Sequence, residues 1–229
     1  MLFHPFPHDR NKAIEHAREY THPNTLFLDT ETTGLSPMDE ICEIAIVDVT
    51  GQVLINTLVK PIRSIPFGAT EIHGISDATV QGAPTFRNLL PELDGALKGR
   101  TVFIYNKEFD IGKIARSAQA NGFDLNGRDG FELWWKAFDV GPGVVASHWH
   151  DAMELYATYY GDWNDYHHSY RWQRLASAAR QCGIELPKNI HRAHADAEMT
   201  RRLVLHMAEG QLSLPTTKPS EEGESNEQS

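Results

Sequence analysis

Apolar residues fall in short unbroken runs through the first half of the chain and at helical spacing in much of the second. Thr25 to Glu31 contains Leu26-Phe27-Leu28, which reads as a central strand ended by a turn at Gly34. Glu40 to Val49 and Gln52 to Lys60 read as two more strands joined at Thr50-Gly51, a tight turn, so the sheet begins as an antiparallel meander. Pro61 to Pro84 is loop-rich, Thr85 to Leu97 reads as a helix, and Thr101 to Tyr105 (TVFIY) supplies another short strand before a helix over Asp110 to Asn121. Ahead of the sheet, Asp9 to Tyr20 has helical character, with Ile14, Ala17 and Tyr20 able to form one stripe. Gly122 to Tyr170 is aromatic and irregular, with Asp151 to Tyr160 as its helix, and two more helices follow: Trp172 to Gly183, and Ala193 to Glu209 ended by Gly210. Strands first and strands alternating with helices afterwards predict an α/β sandwich around a mixed sheet.

Composition narrows the class. The chain has 229 residues, 41% of them hydrophobic, enough for one ordinary domain with extensions. Met1 to Asn24 carries His, Pro and charge with no continuous apolar run, so neither a secretory signal nor a membrane span is expected, and a cytoplasmic location follows. Cys42 and Cys182 are too few for a disulfide framework and read as core thiols. A formal net charge of -10 argues against a broad phosphate-tracking surface and favours a small nucleic-acid footprint, if there is one. Beyond Leu212 the composition shifts sharply, and Pro215 to Ser229 offers nothing to bury, so an acidic, disordered tail is expected.

The chemistry starts at Asp29-Thr30-Glu31. Side chains alternate along a strand, so Asp29 and Glu31 share a face at the end of a buried element. Two such acids are costly unless a cation neutralises them, and hard divalent ions are the usual partner. On this fragment alone, a solvated pair at a strand end is the simpler reading. Two more acid-bearing segments follow: Tyr105-Asn106-Lys107-Glu108-Phe109-Asp110 and His191-Arg192-Ala193-His194-Ala195-Asp196. Residues five apart on a helix lie about 140° from each other, so His191 and Asp196 cannot share a helical face, and a site that used both would need His191 to precede the helix. Small Ala193, Ala195 and Ala197 would let the backbone around Asp196 approach the sheet.

In this order the three segments resemble the motifs of the DnaQ-like 3′-to-5′ exonucleases, in the DEDDh branch, over about Thr25 to Gly210. The resemblance implies a ribonuclease H-like three-layer fold, with an exonuclease domain over 25–210, an N-terminal extension over 1–24 and a tail over 211–229. It also implies a catalytic set of Asp29, Glu31, Asp110, His191 and Asp196. Two ions, Mg²⁺ or Mn²⁺, are implied: Asp29, Glu31 and Asp196 would bind one, with Asp29 also touching the second and Asp110 assisting through water, and His191 would be the general base. Thr32, His73, Asn106 and Phe109 are expected near the substrate, His73 alternatively as a structural residue. Tyr105 stands where the family usually has His, which touches details of substrate contact rather than the metal-binding acids. The segments Gly68 to Ile75, Asp151 to Leu155 and Leu175 to Ile184 are similar to family segments that place helices.

The activity implied is hydrolysis of 3′ DNA ends, single-stranded or frayed, to nucleoside 5′-monophosphates in proofreading, repair or end processing. An RNA-trimming enzyme uses the same chemistry and stays open. A lapsed relative that only binds ends would be marked by a lost ligand, and all four acids and His191 are present. Gln211-Leu212-Ser213-Leu214 resembles a peptide that binds the bacterial sliding clamp, the alternative being a helix end running into a linker. His148, His150, His167 and His168 read as structural or surface residues rather than a zinc site, since no cysteine accompanies them. Of Trp134, Trp135, Trp149, Trp163 and Trp172, most read as core, with base stacking as the other use of such rings.

Overall fold

The computed structural model describes residues 6–123 and 148–210, and the tail with Gln211, Leu212 and Leu214, together with Trp134 and Trp135, lies outside the described residues. Five strands form one sheet in the order β3-β2-β1-β4-β5: β1 (Thr25–Thr32), β2 (Ile41–Asp48), β3 (Val53–Leu58), β4 (Thr101–Ile104) and β5 (His148–Asp151). β1 pairs antiparallel with β2 and parallel with β4, so the meander and the crossover half of the fold meet on β1.

Alternation along the strands sorts the core into two layers. Leu26, Leu28, Val102 and Ile104 point to one face, covered by α4 (Phe86–Leu97) and α5 (Lys107–Ala120) through Leu89, Leu90, Leu93, Ile114 and Ala118. Phe27, Phe103 and Tyr105 point to the other, against α1 (Pro7–Tyr20), α6 (Ala152–Tyr160), α7 (Leu175–Gln181) and α8 (Ala193–Glu209). Helices therefore flank a mixed sheet on both sides, the ribonuclease H-like sandwich. Asp29 and Glu31 have the parity of Phe27, so the same pleat aims them at the layer that contains α8.

Differences from the sequence reading are local. The stretch 61–84 contains two short helices, α2 (Phe67–His73) and α3 (Asp77–Val80), and a small hairpin, β6 (Trp163–Asn164) with β7 (Ser169–Tyr170), interrupts the aromatic region. The H-x-H of His148 and His150, in the region that reads as irregular, is the edge strand β5, paired in parallel with β4. It was hidden because it is four residues long and two of them are histidine. α5 starts at Lys107 rather than Asp110, and α7 spans only Leu175–Gln181. No helix among the described residues is long and apolar enough to cross a membrane.

Candidate active site

The parallel β1–β4 ladder ends at Leu28 and Ile104, and Asp29 is the next residue on β1. Beyond Ile104 the chain must turn from strand into helix within two residues. Asn106 makes that turn in the left-handed region, φ 67°, a conformation Asn tolerates better than most side chains. Asp110 thereby lands in the first turn of α5 and reaches across the strand end to β1. Its Oδ1 accepts the Thr30 backbone N–H at 3.1 Å and the Thr30 hydroxyl at 2.6 Å. One carboxylate thus closes the ladder where β4 has run out.

Asp196 arrives from the opposite end of the chain. Ala193, Ala195 and Ala197 on α8 are all buried, which leaves room for the helix to lie on the strand carrying the acids. Carboxylate oxygens of Asp29, Glu31 and Asp196 can lie within 4.8 Å of one another, and among the described residues no other group of acids, histidines or cysteines does so. Asp196 Oδ1 is buried without a hydrogen-bond partner, an orphan that a divalent cation would satisfy. The donors are all hard oxygens, and the residues present fit Mg²⁺ or Mn²⁺.

Electrostatics say the same thing in another form. Burial, then the neighbouring Asp110, Asp196 and Glu31, hold the Asp29 carboxyl well above the usual range. Burial, with Asp196 next, pushes Glu31 up to about 8. Asp110 is pushed up to about 7 by burial against the opposing pull of its Thr30 hydrogen bonds, and Asp196 to about 6 by burial against the pull of His191. A site in which four carboxyls resist ionisation is one awaiting positive charge.

His191 lies two residues ahead of α8 with φ 64°, exposed, its backbone N–H bonded to Asp196. Glu108 is exposed and His194 half-buried, and neither joins the cluster. His73 is buried: its Nδ1 accepts the Ile75 N–H at 3.0 Å and its Nε2 lies 3.2 Å from the Thr32 carbonyl, so its bonding fits the structural role. Thr32 is buried and its hydroxyl donates to the Gly34 carbonyl, whereas Asn106 is exposed and Phe109 half-buried. Tyr105 donates its hydroxyl to the Gln173 carbonyl at 2.6 Å, tying the segment before α7 to the end of β4. His150 pairs with His16 at 2.9 Å, an internal arrangement.

The supporting contacts of three groups were not read from the sequence. Asp151 caps α6 through Met153 and Glu154 and also accepts the Lys107 N–H at the start of α5, so one carboxylate serves two helix N-termini. Glu43, buried, pairs with the half-exposed Arg192 beside the cluster. The signal for Glu43 was available: an acid inside the apolar run Ile41-Cys42-Glu43-Ile44 needs a partner.

Comparison with known proteins bears on the family and the fold. The exonuclease family model named RNase_T matches residues 26–128. Uncharacterized exonuclease CP81 of Escherichia phage 186 is 34% identical over 196 residues, covering 86% of this chain and 94% of that protein. DNA polymerase III subunit epsilon of Rickettsia prowazekii is 35% identical over 92 residues, 38% of this chain and 40% of the subunit. Among solved structures, exonuclease X in complex with 5′ overhanging duplex DNA superposes with a TM-score of 0.56 at 22% identity, over 81% of this chain and 92% of that one. E. coli exonuclease I in complex with a dA16 oligonucleotide gives 0.61 at 18% identity over 82% of this chain and 41% of its own.

Proposed function

The chain belongs to the DnaQ-like exonuclease family, and on that premise we propose that it hydrolyses the 3′-terminal phosphodiester of DNA to release nucleoside 5′-monophosphates. The observation that carries this reading is the convergence of Asp29, Glu31 and Asp196 from β1 and α8, with Asp196 Oδ1 buried and unpartnered. These three would hold one divalent ion, with Asp29 also touching a second and Asp110 assisting through water. When bound, such ions supply Lewis-acid stabilisation of the charge that develops on the phosphate. His191, exposed beside Asp196, takes the proton from the attacking water, and Asp110 holds β1 in place through Thr30. The DNA substrate is supported by the DNA named with exonucleases X and I and by the polymerase subunits among the relatives. A half-buried cluster at a strand end, on a chain of net charge -10, suits a short single-stranded or frayed end.

A digest of matched 3′-labelled DNA and RNA oligonucleotides with and without Mg²⁺ tests the reading. Metal-dependent release of labelled mononucleotide from DNA is expected, with loss of cleavage in Asp29→Ala and a drop of about 10² to 10⁴-fold in His191→Ala. Preferred release from RNA would move the enzyme to RNA trimming, and full activity in either variant would sink the mechanism.

A further inference from the structure

α8 starts without a cap of its own, since the Arg192 side chain at its N-cap position makes no capping hydrogen bond to the helix. The capping acceptor comes instead from β2. Glu43 Oε2 accepts the Ala193 N–H at 2.9 Å, and Arg192 Nε donates to Oε2 at 3.0 Å and Oε1 at 3.2 Å, with a further contact from Nη2 to Oε1. The Glu43 side chain is only 4% exposed, and Glu43 stands directly opposite Glu31 in the β1–β2 ladder. Its carboxylate is thus spent on the two residues that follow His191, and it stays out of the Asp29-Glu31-Asp196 group. His191 itself is exposed, and its imidazole has no hydrogen bond to another described residue. What locates it is the backbone on either side.

We propose that the Glu43–Arg192 pair is the positioning device of His191, holding the imidazole at the edge of the acid cluster while ion binding is left to the acids. This inference rests on His191 being the general base. Arginine is needed because a planar fork fixes both distance and orientation, whereas lysine keeps the charge and loses the fork. A displacement of about 1 Å at a reacting group is enough to cost about 10²-fold in rate.

The test is a double-mutant cycle on the full chain, measuring nucleotide release from a 3′-labelled DNA strand, Mn²⁺ affinity and melting temperature. Arg192→Lys is expected to lower kcat by about 10 to 10²-fold, with KM and Mn²⁺ affinity changed less than about twofold. In a His191→Ala background the same substitution is expected to cost less than about threefold, because the group it positions has gone. Glu43→Gln, which keeps an acceptor for the Ala193 N–H, is expected to follow the same pattern while melting close to the parent chain. Equal losses in both backgrounds, an unchanged kcat in Arg192→Lys, or an Mn²⁺ affinity that falls in step with kcat would each overturn the proposal. Full activity of His191→Ala alone is a separate result, which removes the base assignment and this inference together.

Discussion

At the scale of single residues, the acid cluster sets a conflict between stability and chemistry. Glu31, Asp110 and Asp196, pushed up to about 8, 7 and 6, stay protonated in the metal-free fold at pH values where an unfolded chain has released those protons. A group whose folded pKa is raised favours the fold most at low pH, and that advantage is lost as pH rises through the folded value. In the presence of EDTA, the melting temperature is therefore expected to fall between about pH 5.5 and about pH 8.5, with other carboxylates setting the acid limit. Asp29→Asn removes one of the crowded charges and is expected to raise the melting temperature near pH 8 by a few degrees while ending turnover. A melting temperature that climbs with pH, or an Asp29→Asn chain that melts lower than its parent, would contradict the account.

At the scale of elements, the strands were legible wherever local sequence decides structure. β1 and β2 are apolar runs, and α8 starts and ends at Ala193 and Glu209 because Gly210 takes the left-handed turn, φ 67°, that closes it. Elements decided by tertiary contacts were not. β5 exists because β4 offers it an edge, and the start of α5 shifted to Lys107 because Asn106 turns the chain there and Asp151 receives the Lys107 N–H. The apolar stripe of Ile14, Ala17 and Tyr20 on α1 was legible and does pack inward, but which face of the sandwich it would cover was not. Ala13 and Ala17 are buried in the layer with α6 and α8, and Arg18 Nε donates to the Ala208 carbonyl at 2.6 Å, at the far end of the helix that carries Asp196. Removing residues 1–20 uncovers that face and frees those carbonyls. A chain so shortened is expected to melt more than about 10 °C below the full one or to be insoluble, and an unchanged melting curve would make α1 an accessory.

At the scale of the whole molecule, the sandwich and the grouping of Asp29, Glu31 and Asp196 could be read in advance because the three motifs come in order, each at a strand end or helix start. Their support could not. Glu43, Asp151 and Tyr105 act on residues 149, 44 and 68 or more positions away along the chain, and no periodicity reports such pairings. The same separation applies to the site itself, where Asp29 comes from near the start of the chain and Asp196 from its last described helix. That arrangement has a kinetic side. Closing so long a loop is entropically slow, and bringing like charges together adds nothing favourable until α8 has docked. A divalent ion can then recognise only the finished fold. In stopped-flow experiments, Mn²⁺ is expected to slow unfolding and leave the refolding rate unchanged, moving one limb of the chevron and not the other. Faster refolding with the ion would mean that β1 gathers its metal before α8 arrives. If the proposed ion binds there, it would be a latch on a completed molecule, and its release rate would set how long an idle enzyme survives.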